Sequence, residues 1–235
     1  MSANADSLSG RVVLLAGVTG ELGGHVARIL RARGARLGLL VRKPRQVAEI
    51  TPAFGGEGVL VGCVGPQDSE GAAGFAKGVA DSLGPIDALV ATNGAFAAST
   101  VGKDPAGELA DLLEANLLTV ATLARAVVGP MRRRRAGRIV AVGSAAVDQA
   151  PPGMANYLAA KAALHRWIAA LDRDLDGTGV RAFAVLPTTI DTQSNRRAMP
   201  ETDRRGWQSL DTVSEALLAC AFGAPPPGPL YRVPG

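Results

Sequence analysis

The chain has 235 residues, of which 47% are hydrophobic and 20% are charged, and glycine is abundant at 29 residues. This composition is typical of a soluble α/β domain whose helices pack closely on a sheet. We therefore expect a single domain over residues 1–235, with a flexible polar start at residues 1–10. The sequence shows neither a signal peptide nor an apolar run of about 20 residues, so we expect a cytoplasmic protein without a membrane partner.

The formal net charge is only +4, the difference between 25 Lys and Arg residues and 21 Asp and Glu residues. Much of this excess comes from the run Arg132 to Arg135, which follows an apolar stretch. Cations are favourable at a helix C-terminus because they face the negative end of its dipole. We interpret the run as a helix end and expect no nucleic-acid partner, an alternative that salt-dependent retention on DNA or RNA would support.

The cysteines and histidines do not indicate a metal site. Cys63 and Cys220 are far apart and not in CxxC spacing, so we expect two buried thiols. His25 and His165 lack partners at metal-ligand spacing and are interpreted as surface or packing residues. We therefore predict no metal cofactor.

Short apolar runs alternate with longer amphipathic stretches, and this pattern predicts parallel strands covered by helices. We expect a Rossmann-like, doubly wound, seven-stranded parallel sheet with helices on both faces. The predicted strands are Arg11 to Ala16, Ala35 to Val41, Gly58 to Val64, Ala88 to Ala91, Arg138 to Val142, Arg181 to Leu186 and Leu230 to Val233. The predicted helices are Glu21 to Arg33, Asp68 to Leu83, Gly107 to Arg135 and Ala155 to Asp176.

A glycine-rich turn directly follows the first strand and opens the first helix. Gly17, Gly20 and Gly23 are spaced by three, with Thr19 and Leu22 between them. In this context the glycines permit a tight turn, a close approach to a pyrophosphate and close packing of helix on strand. The helix N-terminus adds an anion site, so the turn predicts dinucleotide binding.

The second strand ends at Val41 and is followed by Arg42 and Lys43, without the acidic residue that would bind the ribose hydroxyls of NAD. A guanidinium at this point can pair with a 2′-phosphate through two hydrogen bonds. The sequence therefore predicts NADP(H) in preference to NAD(H). The alternative interpretation is that Arg42 and Lys43 are solvated loop cations.

The polar segment Thr188 to Leu210 contains Pro200 and Gly206 and follows the sixth strand. We expect a loop at the carboxyl edge of the sheet, where folds of this type bind ligands. Within it, Asn195 to Trp207 is predicted to form a mobile lid over the substrate.

Ser144, Tyr157 and Lys161 form the predicted catalytic centre. Ser144 follows a strand, whereas Tyr157 and Lys161 are four residues apart in a helix and therefore share one face. An ammonium group close to a phenol lowers the pKa of the phenol, so Lys161 is expected to lower the pKa of Tyr157. Tyr157 would then transfer the proton that accompanies hydride transfer, and Ser144 would donate a hydrogen bond to the reacting atom of the substrate.

These motifs, in this order, resemble those of short-chain dehydrogenases/reductases over nearly the whole chain. The resemblance implies an NADPH-dependent oxidoreductase in which Asn116 completes a catalytic tetrad by holding a water in a proton relay with Lys161. It also implies that Lys161 binds the nicotinamide ribose and that Ile190 and Thr192 hold the carboxamide and phosphate side of the cofactor. The remaining residues expected to bind the cofactor are Val64, Asn93, Gly94, Tyr157, Pro187 and Thr188.

The second half is similar to one branch of this family, quinonoid dihydropteridine reductase and its bacterial relatives, which reduce a C=N type bond. The shared residues are 152–154, 184–187, 190–192, Asn195, Arg196, Met199, Pro200, Asp203 and Trp207. Ser144 stands where that branch lacks a serine, so a C=O substrate is equally consistent with the sequence.

Three positions depart from the usual family pattern and weaken individual cofactor contacts. The usual Asn-Asn-Ala-Gly is replaced by Ala-Thr-Asn-Gly at 91–94, the acid expected after the third strand is Cys63, and Thr188 follows Pro187 in place of glycine.

The main hypothesis is therefore an NADPH-dependent reductase of a C=O or C=N bond in a small organic molecule. A non-catalytic dinucleotide-binding sensor or regulatory protein is the alternative, because this fold does not itself imply chemistry. The resemblance also implies a homodimer or homotetramer formed through helices such as Ala155 to Asp176 and Gly107 to Arg135.

Overall fold

The computed structural model describes residues 7–224 and 226–234, so most of the predicted flexible start, residues 1–10, lies outside the described part of the chain. The described strands are β1 (Val12–Ala16), β2 (Arg36–Val41), β3 (Val59–Cys63), β4 (Ala88–Ala91), β5 (Gly137–Val142), β6 (Val180–Leu186) and β7 (Leu230–Arg232). The helices are α1 (Glu21–Ala32), α2 (Pro44–Phe54), α3 (Ser69–Leu83), α4 (Glu108–Leu113), α5 (Thr119–Arg134), α6 (Ala146–Gln149), α7 (Ala155–Asp174), α8 (Gln193–Ala198) and α9 (Leu210–Phe222).

All seven strands pair in parallel in the order β3-β2-β1-β4-β5-β6-β7. The predicted doubly wound, Rossmann-like sheet is therefore confirmed. Side chains alternate between the two faces of a strand, and β1 accordingly sends Val13 and Leu15 into one apolar cluster and Val12 and Leu14 into the other. The order of the strands reverses between β1 and β4, which opens a crevice at their carboxyl ends.

Several helices differ from those predicted. Helices α2 and α9 were not predicted, and the segment 188–210, expected to be a loop, contains the short helix α8. The bridge between Ile190 and Gln208 closes this segment at its base. The prediction that Arg132 to Arg135 end a helix is confirmed, because Arg132 to Arg134 form the last turn of α5.

The predicted single helix from Gly107 to Arg135 is interrupted by a π-helical turn at Glu114–Leu118. The main-chain N–H of Thr119 donates to the carbonyl of Glu114, five residues earlier, and the Thr119 hydroxyl donates to the same oxygen at 2.9 Å. This turn contains Asn116, and π-turns often occur at functional sites.

The helical stretch Glu108–Arg134 is long and apolar enough by composition to cross a membrane, contrary to the expectation that the chain holds no such run. However, 56% of its most apolar window is buried inside the protein. Leu123, Val127 and Met131 of this stretch lie in the core beside the sheet. Its apolar character is therefore explained by packing.

The two thiols occupy different environments. Cys220 is buried in α9, where burial raises its pKa to about 11, whereas Cys63 is exposed at the end of β3. The expectation of two buried thiols was therefore wrong for Cys63. Within the described residues, His, Cys, Asp and Glu form no cluster of three suited to a metal ion.

Candidate active site

The glycine-rich turn between β1 and α1 has space for backbone only. Gly17 has a φ of +89°, and a Cβ atom at this residue would lie 2.5 Å from the Asn93 nitrogen. A Cβ atom at Gly23 would lie 2.1 Å from the Gly17 carbonyl oxygen. Gly20 is the N-cap of α1, and no side chain in the described part of the protein caps this helix end. These features fit an anion held by main-chain N–H groups.

The cleft beside this turn continues to the ends of β2 and β3. Arg42 is exposed there, and the Gln46 side chain accepts hydrogen bonds from the main-chain N–H groups of Arg42 and Lys43, at 3.2 and 3.0 Å. Gln46 thus fixes the turn that carries the cationic pair. The predicted residues Gly17, Thr19, Arg42, Val64 and Asn93 line this part of the cleft.

The next part of the cleft runs from the glycine turn to α7. It is lined by the predicted residues Thr19, Gly20, Leu22, Gly23, Asn93, Gly94, Asn116, Tyr157, Lys161, Ile190 and Thr192. A third part, beyond Tyr157, is lined by Ser144, Pro187 and Thr188 together with Tyr157, Lys161 and Ile190. Every sequence-predicted site residue therefore lies along one continuous cleft at the carboxyl edge of the sheet.

Tyr157 lies at the junction between the second and third parts of the cleft. Burial raises the pKa of Tyr157, and a hydrogen bond with Ser144 offsets part of this effect. The expectation that Lys161 would lower the pKa of Tyr157 was therefore wrong in direction. The Lys161 Nζ atom is 6.0 Å from the centre of the Tyr157 ring, and desolvation of the phenolate outweighs its effect.

Lys161 is only 4% exposed and donates a hydrogen bond from Nζ to the Val142 carbonyl at 2.8 Å. Burial lowers the pKa of Lys161 to about 8. The carbonyl at the end of β5 thus fixes the ammonium group close to Tyr157. The two side chains share one face of α7, as their spacing predicted.

Asn116 is fully buried in the π-turn and donates from Nδ2 to the carbonyls of Ala95 and Leu112, at 3.0 and 2.9 Å. Its Oδ1 atom is buried without a hydrogen-bond partner among the described residues, and so is Oδ1 of Asn93. A buried polar atom without a partner is costly. Asn116 Oδ1 thus indicates a place where a water or ligand binds.

Gly94 provides the space beside this oxygen. A Cβ atom at Gly94 would lie 2.7 Å from Oδ1 of Asn116 and 3.4 Å from Nζ of Lys161. A single point is thus within reach of both polar groups. A side chain at this position would fill the space between them.

Four residues of the site were not identified from the sequence. The Phe96 ring packs edge-on against the Tyr157 ring with 5.0 Å between the ring centres, and His165 Nε2 accepts a hydrogen bond from the Ser144 main-chain N–H at 3.1 Å. Glu21 and Gln208 are the other two. Only the spacing of His165, four residues after Lys161, offered a signal in the sequence.

Glu21 and Gln208 hold the two ends of the segment predicted to be a lid. The Glu21 carboxylate accepts hydrogen bonds from the main-chain N–H groups of Gln193 and Ser194, at 2.7 and 2.9 Å. The buried Gln208 side chain accepts from the Thr188 N–H at 3.0 Å and donates to the carbonyl of Val233 at 3.1 Å. The base of the segment is therefore attached to both the glycine turn and β7.

Thr192 has a structural contact in addition to its predicted cofactor role. Its hydroxyl accepts a hydrogen bond from the Asn195 N–H at 3.1 Å and so caps the N-terminus of α8. Ion pairs Asp191–Arg196 and Asp203–Arg205 neutralise charges within the segment. Arg204 stacks on the Trp207 ring at 5.7 Å.

Comparisons with known proteins agree with this geometry. The sequence pattern of the short chain dehydrogenase family matches residues 11–203. The 3-oxoacyl-(acyl-carrier-protein) reductase FabG of Salmonella typhimurium is 29% identical over 202 residues, which cover 85% of this chain and 81% of that protein. A protein provisionally named the ketoacyl reductase of the monensin polyketide synthase in Streptomyces virginiae is 32% identical over 230 residues, which cover 95% of this chain and 85% of that protein.

The same result comes from solved structures. The crystal structure of an oxidoreductase of the short chain dehydrogenase/reductase family from Burkholderia thailandensis superposes with a TM-score of 0.81 at 27% identity. The match covers 95% of this chain and 90% of that one. Members of this family use NAD(H) or NADP(H). On its sequence, fold and cleft, the chain belongs to the short chain dehydrogenase/reductase family of oxidoreductases.

Proposed function

We propose that this protein is an NADPH-dependent reductase that delivers hydride to the ketone carbonyl of a small, uncharged organic molecule, with Tyr157 as proton donor. The observation that carries the proposal is the buried Tyr157 hydroxyl beside Ser144, at the junction of the cofactor and substrate parts of the cleft. Burial raises the pKa of Tyr157, so the phenol stays protonated at neutral pH. A protonated phenol is the form that donates to a developing alkoxide.

The other polar groups support the same direction of proton flow. Ser144 would donate its hydroxyl hydrogen to the substrate oxygen as negative charge develops there. Lys161 and Asn116 would hold a water in the space in front of Gly94, through which the proton lost from Tyr157 is replaced. The bound nicotinamide would supply the hydride.

The preference for NADPH rests on Arg42. Its guanidinium lies exposed at the end of β2, where a 2′-phosphate would meet it. The glycine turn would bind the pyrophosphate, and Tyr157 and Lys161 would bind the nicotinamide ribose. Ile190 and Thr192 would hold the carboxamide side, with Val64 beside the adenine.

The substrate part of the cleft favours an uncharged molecule. Its wall includes Phe96, Met154 and Met199, and its polar side chains apart from the catalytic centre are the neutral Gln149, Asn195, Thr188 and Thr189. A substrate carboxylate or phosphate would find no guanidinium among the described lining residues. The curated relatives are named as ketoacyl reductases, which supports a C=O substrate.

Reduction of a C=N bond is the second candidate. It is supported by the similarity of Asn195, Met199, Asp203 and Trp207 to the dihydropteridine reductase branch. Met199 and Asn195 lie on the wall of the substrate cleft, where a pteridine-like ring would meet them.

We further propose a cytoplasmic homodimer or homotetramer, with the segment 195–207 acting as a lid over the substrate. Exposed Leu109 and Leu118, on and just after α4, support assembly through that side of the protein.

The test is oxidation of NADPH by the purified protein with a panel of neutral ketones, ketoacyl thioesters, cyclic imines and quinonoid dihydropterins. We expect turnover of neutral ketones, whereas turnover of imines or dihydropterins alone would select the second candidate. NADPH binding without turnover of any substrate would indicate a non-catalytic sensor and overturn the proposal.

The cofactor assignment is tested separately by Arg42→Ala, with Lys43→Ala as the matched control. We expect Arg42→Ala to reduce the preference for NADPH over NADH roughly tenfold or more, because a charged hydrogen bond to the phosphate is lost. Lys43→Ala is expected to have a smaller effect. Equal or tighter binding of NADH by the wild-type protein would contradict the assignment.

A further inference from the structure

His165 is a buried residue of α7 that contacts the catalytic serine through the backbone. It follows Tyr157 and Lys161 at successive intervals of four, so all three side chains lie along one face of the helix. Its Nε2 atom accepts a hydrogen bond from the Ser144 N–H at 3.1 Å. The imidazole is 7% exposed.

The pairing of the sheet explains why Ser144 needs this partner. The N–H groups of Gly143 and Ala145 donate to the carbonyls of Val185 and Pro187, on and just after β6, at 2.7 and 2.8 Å. Successive N–H groups point to opposite sides of an extended chain, so the Ser144 N–H faces away from β6. Without His165 this buried donor would lack an acceptor among the described residues.

The space for the imidazole depends on Gly143. A Cβ atom at this residue would lie 2.5 Å from the Nε2 atom of His165. The ring therefore lies directly against the backbone that carries Ser144. A displacement of the ring would be transmitted to the serine by contact as well as by the hydrogen bond.

The hydrogen bond also defines the protonation state. Because Nε2 accepts a proton from a main-chain N–H, it carries no hydrogen of its own. Burial and the nearby Lys161 ammonium lower the pKa of His165 to about 4, with Asp148 acting to raise it and Arg232 to lower it. The imidazole therefore remains a neutral acceptor throughout the neutral pH range.

We infer that His165 is a positioning residue for Ser144, which holds the serine backbone so that its hydroxyl faces Tyr157 in the proposed reductase. The inference rests on the proposed function for its effect on turnover. It has a second consequence that does not need turnover. If Ser144 is displaced, its hydrogen bond no longer offsets the effect of burial on Tyr157, and the pKa of Tyr157 rises further.

The test compares His165→Gln, His165→Asn and His165→Leu. Glutamine can place its side-chain oxygen near the position of Nε2, whereas asparagine is too short and leucine has no acceptor. We expect Asn and Leu to lower kcat roughly five- to tenfold, the effect of one hydrogen bond, with unchanged affinity for NADPH. Glutamine is expected to restore most of the rate. If leucine prevents folding, the comparison of Gln with Asn remains.

The independent readout is titration of the Tyr157 phenol by absorbance in a Tyr231→Phe background, which leaves one tyrosine because the chain has two. We expect a higher Tyr157 pKa in the Asn and Leu variants and a value close to wild type in the Gln variant. Unchanged titration and kcat in the Asn and Leu variants, or equal losses in all three, would overturn the inference. If the titrations shift as expected but the wild type reduces no carbonyl, the proposed function fails and the positioning role stands.

Discussion

The two ends of the cleft are built in different ways. At the glycine turn, Gly17 and Gly23 leave no space for a side chain, and the cation that follows β2, Arg42, is exposed. At the catalytic end, Lys161 and Asn116 are almost fully buried, with polar atoms fixed by main-chain carbonyls. Adding atoms should therefore harm the first region, and removing atoms should harm the second.

The largest expected effect is at the catalytic end. Tyr157→Phe retains the ring that contacts Phe96 but removes the proton donor, so we expect kcat to fall roughly a thousandfold. Affinity for NADPH should change little. Steady-state assays and a fluorescence titration of NADPH measure the two quantities. A kcat within about tenfold of the wild-type value would contradict the role of Tyr157.

The burial of Lys161 should appear in the pH dependence of stability. The folded state lowers the pKa of Lys161 from 10.5 to about 8, so between these values the unfolded chain binds more protons. Stability therefore rises with pH in this window, by on the order of 3 kcal/mol in total, and this rise should be absent in Lys161→Met. Urea unfolding between about pH 8 and 10.5 measures the difference.

The matched control is Lys103→Met, which removes an exposed lysine. It should keep the pH dependence of the wild type. If Lys161→Met shows the same rise as the wild type, Lys161 is not desolvated in the folded protein.

At the glycine end, one added methyl group should separate binding from stability. A Cβ atom at Gly20 would have the Gly17 carbonyl oxygen 3.4 Å away as its nearest neighbour, so Gly20→Ala should fold normally. We expect its affinity for NADPH to fall roughly tenfold, because the methyl group would occupy the approach of the pyrophosphate. Titration of NADPH with thermal unfolding as a check measures both properties.

Gly24→Ala is the matched control for this substitution. A Cβ atom at Gly24 would lie 3.3 Å from the Val18 carbonyl oxygen, at a similar distance, but Gly24 is not among the lining residues of the cleft. It should bind NADPH as the wild type does. Equal binding by Gly20→Ala and Gly24→Ala would exclude the proposed approach of pyrophosphate to Gly20.

The smallest expected effect concerns the lid. Because Glu21 and Gln208 hold its base, we expect only a modest decrease in hydrogen exchange, confined to residues 195–207, when NADPH and a substrate analogue bind. Trp207→Phe distinguishes the emission of Trp207 from that of Trp167. Exchange across 195–207 that is unchanged by saturating ligands would show that the segment is a fixed scaffold.

The sheet could be predicted from sequence because each strand is a short apolar run between turns. Helix α2 was missed because it is short, begins at Pro44 and contains Pro52. Helix α9 was missed because both Val213–Ser214 and Ala216–Leu218 are buried, which weakens the contrast between an apolar and a polar face. Local patterns thus predict elements that are half exposed better than elements that are packed on most sides.

The same distinction applies to the cleft. Tyr157 and Lys161 could be paired from their spacing, and Gly17, Gly20 and Gly23 from theirs. The hydrogen bonds of Glu21 to residues 193 and 194 join positions more than 170 apart in sequence, and the contact of Phe96 with Tyr157 crosses between two elements. Neither could be inferred from local sequence. The direction of the Tyr157 pKa shift depends on burial, which also requires the fold.

The π-turn at Glu114–Leu118 makes the site sensitive to chain length. An α-helix advances about 100° per residue, so one residue fewer in this turn would rotate α4 by that angle relative to α5. Glu108 of α4 accepts a hydrogen bond from Asn156, next to Tyr157, while α5 is held by the core beside the sheet. With the extra residue both attachments coexist with an inward-facing Asn116. A deletion within the turn would force the chain to give up one of them.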